Sequence, residues 1–261
     1  MDPKTLNAIY MLEWTFSPPD YFEEPIHITR DQYEMTIGNG KVEAKVNDVI
    51  YEENPEMRNQ LHEALNDRFL VIQFLTHNPY ELSKSSVCKI HLDGHKDLFV
   101  FAETGRIEIR ADNVDLVVRD KDGNIVGDTR RERIDKKRTI AELEEKHRTN
   151  PILKAILNSY NMAVIEPDNE LVHLYEIRDA LAKELGGEDN TKKILGISNT
   201  DWSDFGLLAN NLPVKQGRHR GKHVGALRDA THEELIKARE FSQKLILSFL
   251  DYLENQVKST P

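Results

Sequence analysis

Residues 129–150 read TRRERIDKKRTIAELEEKHRTN, and the hydrophobic period of the chain changes across them. The stretch has no glycine and is dense in charge, so it predicts a solvated connector that turns helical towards its end. Arg130, Arg131 and Arg133 add basic character there, diluted by Glu132 and Asp135. Before the connector apolar residues mostly alternate with polar ones; after it they recur at helical spacing. The fold class implied is α+β. An antiparallel β-rich domain with one helix is expected over residues 1–128, the connector over 129–150, and an α-helical bundle over 151–261.

Working upstream, Tyr33, Met35 and Ile37 alternate with polar residues, as do Val42, Ala44 and Val46, and Gly38-Asn39-Gly40 lies between them. Asn-Gly between alternating runs predicts a tight hairpin, because both turn residues need positive φ. Further strands are expected at Phe69–Thr76, Ser86–Leu92, Leu98–Glu103, Arg106–Ala111 and Val114–Arg119, with turns at Asp93-Gly94 and Asp122-Gly123. One helix interrupts them: Asn54 caps it, Pro55 suits its first turn, and Met57, Leu61, Ala64 and Leu65 share a face.

Downstream of Pro151, Ile152, Leu153, Ile156, Leu157 and Tyr160 mark a first helix. Asp168 is a candidate cap for a second, with Leu171, Leu174, Tyr175, Leu181 and Leu185 as its stripe and Gly186-Gly187 at its end. A short third begins near Ser198 or Thr200 and carries Trp202 and Phe205. The last starts at Thr231, where Glu234 three residues on completes a capping box. Its buried face is Leu235, Ala238, Phe241, Leu245, Ile246, Phe249 and Leu253. Such stripes need each other for cover, which gives the bundle.

With 39% apolar and 31% charged residues in 261, the composition is that of a water-soluble protein of two domains. There is no run of eighteen apolar residues, so no membrane span is expected. Residues 1–14, MDPKTLNAIYMLEW, lack the basic-then-apolar pattern of a secretory signal, and the expected compartment is the cytoplasm. The single cysteine, Cys88, excludes an internal disulfide and a cysteine-only zinc site; in a strand pattern it reads as an inert buried thiol. A formal net charge of -10 argues against coating nucleic acid by charge alone, so any nucleic-acid ligand is expected at a local patch.

One patch stands out against that charge. Residues 215–229 read KQGRHRGKHVGALRD, and from Val214 to Gly225 there is no carboxylate. Lys215, Arg218, Arg220 and Lys222 alternate with His219 and His223, Arg228 follows, and Gly217, Gly221 and Gly225 recur at every fourth position. Guanidinium, ammonium and imidazole groups on a glycine-broken ribbon suit a phosphate. Arg218 and His223 form a complementary pair for a phosphodiester. An imidazole titrates near neutrality and can take the proton from a ribose 2′-hydroxyl, while a guanidinium holds the charge growing on the phosphoryl oxygens. Cleavage by that route needs no metal or cofactor and leaves a 2′,3′-cyclic phosphate.

The run Arg218-His219-Arg220-Gly221-Lys222-His223 resembles the Arg, polar residue, spacer, His motif of the HEPN superfamily. The longer string GRHRGKHVGALRDAT, with HLYEIRDALA upstream, resembles a group of bacterial proteins without an assigned activity. The HEPN resemblance covers Pro151–Val257 and implies a helical bundle acting as a metal-independent ribonuclease in bacterial defence or a toxin-type stress response. It implies a homodimer in which two copies share one cleft. Arg218 and His223 become the catalytic pair and His219 the polar position. The family usually has asparagine after the arginine where this chain has His219.

Lys215, His219, Arg220, Lys222 and Arg228 are then the expected phosphate or RNA contacts, and Glu176 an auxiliary group able to orient a histidine or arginine. An unrestrained ribonuclease harms its host, so a regulatory partner or control by the N-terminal domain is also expected. A second function has the same residues hold a nucleotide or phosphorylated ligand without cleavage, as a sensor. A third is structural: the loop cations dock onto Asp201, Asp204, Glu233 and Glu234. His91 and His95 lack a third ligand and predict no metal site. Trp14 and Trp202 are expected in cores, and His173 packed and hydrogen-bonded.

Overall fold

The computed structural model describes residues 8–91, 95–99, 115, 117–119, 124–223 and 225–259. Its elements are β1 (Ala8–Ser17), β2 (Ile26–Thr29), β3 (Tyr33–Gly38), β4 (Lys41–Asn47), α1 (Asp48–Glu53), α2 (Met57–Thr76), β5 (Glu81–Leu82), β6 (Ser86–His91), β7 (Lys96–Phe99), β8 (Val117–Arg119) and β9 (Ile125–Asp128). There follow α3 (Thr129–His147), α4 (Pro151–Ile165), a 3₁₀ turn (Pro167–Asn169), α5 (Glu170–Glu184), α6 (Glu188–Leu195) and α7 (Asn199–Gly206). A π turn (Leu207–Asn211), a second 3₁₀ turn (Arg220–His223) and α8 (His232–Ser259) complete the chain. An antiparallel sheet followed by helices makes the protein α+β. The chain forms two compact units, Met1–Asn66 with Tyr80–Ile134, and Asp67–Pro79 with Asp135–Pro261; α2 and α3 each contribute residues to both.

In the first unit the sheet runs β2-β3-β4-β1-β6-β7, with β5 also pairing with β1. The hairpin at Gly38-Asn39-Gly40 forms as its residues dictate: Asn39 and Gly40 have φ of 51° and 76°, and Gly38 pairs with Lys41. Alternation then decides the faces. Leu12 and Trp14 oppose Ala44 and Val42, and Met35, Ile37 and Val46 are buried with them. The Trp14 indole N–H donates to His62 Nδ1 on α2 at 3.1 Å, and burial holds the His62 imidazole below its ordinary value, in the neutral form that accepts.

The stretch Phe69–Thr76 is helical, not a strand. It continues α2 without a break, and Phe69, Leu70, Val71, Ile72 and Phe74 are all buried, so the apolar run has no period by which to tell helix from strand. The expected strand at Ser86–Leu92 is β6, and those at Leu98–Glu103 and Val114–Arg119 are seen in part as β7 and β8. Arg106–Ala111 and the turns at Asp93-Gly94 and Asp122-Gly123 lie outside the described residues. Cys88 is half-buried rather than buried, because it faces away from buried Val87 across β6.

The second unit has one core, in which Leu153, Ile156, Leu157 and Tyr160 of α4, Leu171, Leu174, Ile177 and Leu181 of α5, and Leu245, Ile246 and Phe249 of α8 interdigitate. Val71 and Phe74 of α2 and Ile140 of α3 join it. Local chemistry sets the helix starts. Asn150 Oδ1 accepts from the Ile152 and Leu153 amides, Ser198 Oγ accepts from Asp201 N, and Thr231 and Glu234 exchange hydrogen bonds as a capping box. Helix α5 starts after the 3₁₀ turn, and Asp168 makes no capping bond to it.

Candidate functional site

The cationic loop joins the π turn to α8 and is closed at its base by backbone bonds. Lys215 N–H donates to Arg228 C=O and Arg228 N–H to Pro213 C=O, both at 2.9 Å, beside buried Val214. Inside this clasp Gly217 N–H donates to Val214 C=O at 3.1 Å and Arg218 N–H to Ala209 C=O at 2.9 Å. The π turn ends a helix, where carbonyls lack partners within the helix, and the loop uses one of them.

The cations divide by what they touch. Arg228 grips both oxygens of Glu234 at 2.6 and 2.7 Å, and Lys215 meets Asp229 at 2.9 Å. Arg220 donates to Gly217 C=O, Asp168 C=O and Asn169 Oδ1, tying the loop to the start of α5. These three hold the loop in place. Of the acids expected to dock it, Glu234 does so; Asp201 pairs instead with Lys244 of α8.

Arg218 sits differently. Its guanidinium carbon lies 4.3 Å from the centre of the Tyr175 ring, and Nη1 meets Asp179 Oδ2 at 3.1 Å. Tyr175 and Asp179 are four apart on α5 and so share a face. The seat is stiff: Tyr175 stacks on Phe205 at 5.9 Å, Phe205 packs against Phe241 at 4.8 Å, and buried Arg178 lies over both Tyr175 and Trp202. Of the Arg218 side chain 36% stays accessible. Lys222 is exposed and His219 half-buried, and neither side chain has a hydrogen-bond or ion-pair partner among the described residues. His223 ends the 3₁₀ turn; its side chain lies outside the described part.

Glu176 meets a histidine of its own helix, His173. His173 Nδ1 lies 3.3 Å from Glu176 Oε2, and its Nε2 lies 3.2 Å from Glu166 Oε2. Ser159 donates to the same Glu176 oxygen at 3.3 Å. Asn169 donates to Glu166 at 3.1 Å, and with His173 it holds the Glu166 carboxyl below its ordinary value. A polar chain thus runs Arg220, Asn169, Glu166, His173, Glu176. His173 is packed and hydrogen-bonded as expected, and Trp202 is in the core.

In the residues alone Tyr175 reads only as stripe and not as a seat, and Asp179, Asn169 and Glu166 go unmarked. The signal was the i,i+4 pair Tyr175/Asp179 in HLYEIRDALA, an aromatic and an acid on one helical face. His91 and His95 both turn to Asp97, at 2.8 and 3.2 Å. Among the described residues no group of three or more His, Cys, Asp or Glu is arranged to hold a metal ion, and no helix is long and apolar enough to cross a membrane.

Comparison with family models, curated proteins and solved structures gives no match. The likeness of residues 218–223 to the HEPN motif therefore rests on those residues and their setting.

Proposed function

We propose that the helical unit acts on RNA as a metal-independent endoribonuclease, with the loop from Lys215 to Arg228 receiving the scissile phosphate. The observation that supports this is the division of labour among the cations. Lys215, Arg220 and Arg228 fix the ribbon, while Arg218 is held at the surface and Lys222 and His219 remain uncommitted. Preorganised donors around a developing charge are what phosphoryl chemistry requires of a protein. Arg218 stabilises the phosphoryl oxygens, His223 takes the 2′-hydroxyl proton, and Lys222 and His219 contact flanking phosphates. By the resemblance, two copies share the cleft, and the setting is bacterial defence or a stress response.

The test is total RNA incubated with the protein in EDTA beside Arg218→Ala and His223→Ala, with 2′,3′-cyclic phosphate ends as the readout. Cleavage lost in both variants supports the reading; cleavage surviving both, or absent at every dose, refutes it. A second reading, a sensor that binds a nucleotide or phosphorylated ligand without cleaving it, is favoured by one feature. Asp179 already occupies one edge of Arg218. Salt-sensitive binding without product identifies it.

A further inference from the structure

The seat of Arg218 has a use beyond phosphate. A guanidinium is a flat cation with two faces and an edge of N–H donors. Here one face lies on the Tyr175 ring, 4.3 Å from its centre, and Nη1 is taken by Asp179. Among the described residues no second ring covers the other face, and 36% of the side chain is accessible. The ring backs the guanidinium on one side and the carboxylate takes one N–H group, which leaves the outer face for a ligand.

We infer that this outer face is a stacking platform for an unpaired nucleobase, so that the loop takes single-stranded RNA with one base laid on Arg218. The inference rests on the RNA reading above and names which RNA. A base inside a duplex has both faces covered by its neighbours; a base in a loop, bulge or end does not, and proteins stack such bases on aromatic rings and guanidinium planes. The neighbouring donors suit the rest of a nucleotide: His219 and Lys222 lie one and four residues along the same anchored segment, their side chains unpartnered among the described residues, where a backbone phosphate needs donors.

A purely mechanical role for the seat is weaker. The loop is already clasped by two backbone bonds at its base and by Arg220 and Arg228.

The experiment is binding of the full chain to two tetranucleotides with 2′-O-methyl riboses, which cannot supply the attacking hydroxyl. One carries four adenines; the other has the same backbone with all four sites abasic. The expected result is roughly tenfold tighter binding of the adenine form, the scale of one base stacked on a side chain. In Arg218→Lys, which keeps the charge and loses the plane, the ratio is expected to fall to about one. Equal binding of both oligonucleotides by the unmodified chain overturns the stacking platform and leaves the phosphate reading standing. A preference that survives Arg218→Lys also overturns it, while absence of binding to either overturns both readings. The comparison on the unmodified chain decides even where the variant does not fold.

Discussion

Arg239 clasps Glu170 through two hydrogen bonds, Nε to Oε1 at 2.6 Å and Nη2 to Oε2 at 2.8 Å, and the carboxylate is 1% exposed. His77 Nε2 lies 3.8 Å from the same carboxylate. Glu170 is the first residue of α5 and Arg239 lies within α8, so the pair locks together the two helices that carry the loop's seat and its closing end. Removing one partner of a buried pair strands the other charge, whereas replacing both with apolar groups is often nearly neutral. Arg239→Met is expected to lower unfolding stability by about 3 kcal/mol, and Glu170→Leu with Arg239→Met to recover most of that loss. Urea midpoints at constant slope measure both. Equal losses in the single and double variants would refute the account.

Glu144 on α3 is 3% exposed and has no hydrogen bond or ion pair among the described residues. Burial first, and then the nearby Asp67 carboxylate, push its pKa up to about 7 against the partial relief of Arg68 and Arg148. The folded state therefore holds this proton more tightly than the unfolded chain does. The stabilisation is complete below about pH 4.5 and is lost as pH rises through about 7. The span corresponds to roughly 3 kcal/mol. Glu144→Gln is expected to flatten melting temperature against pH between 4.5 and 7 and to raise stability at pH 8. An unchanged slope in the variant would show that other groups set it.

How much of this was legible in the residues depends on how local its cause is. Asn39-Gly40, Ser198 and Thr231 with Glu234 act within a few positions, and the hairpin and helix starts lie where they predict. Phe69–Thr76 misled because complete burial erases periodicity, and α6 was missed because its short, glycine-flanked run buries only Thr191 and Leu195. The loop's cations were visible as a cluster, but what distinguishes anchors from open groups was not. Asp179 lies 39 residues from Arg218 and Asn169 lies 51 from Arg220, and nothing local ties such positions together.

Glu234 closes the loop and caps α8 at once, accepting from Arg228 and from Thr231 N–H. The Arg228 guanidinium foremost, and then the Thr231 amide, hold its carboxyl down to about 2. A depressed carboxyl contributes stability above its unfolded value, near 4.5, and loses it as pH falls towards about 2. Glu234→Gln is expected to lower the melting temperature at pH 5 and to shrink its drop between pH 5 and pH 3. Thr231→Ala, which removes the other half of the box, is expected to cost about 1 kcal/mol. Differential scanning calorimetry reads both; an acid limb identical to the parent's would remove Glu234 from the explanation.

The evenly spaced glycines are not equivalent. A methyl on Gly217 would stand 3.0 Å from Val214 Cγ2, 3.2 Å from Ala209 O and 3.3 Å from Val214 O. Those two oxygens accept the Arg218 and Gly217 amides, so the methyl intrudes on the anchor that sets Arg218. On Gly221 it would meet nothing within 4 Å, and the backbone there is one that any residue adopts. Gly217→Ala is expected to destabilise by about 1–3 kcal/mol, the usual scale of overpacking, and to weaken oligonucleotide binding. Gly221→Ala is expected to be neutral or to stabilise by about 0.5 kcal/mol, by restricting the unfolded chain. Thermal melts and the adenine tetranucleotide titration separate the two. Two variants that behave alike would mean that glycine spacing matters here for something other than the fit beneath Arg218.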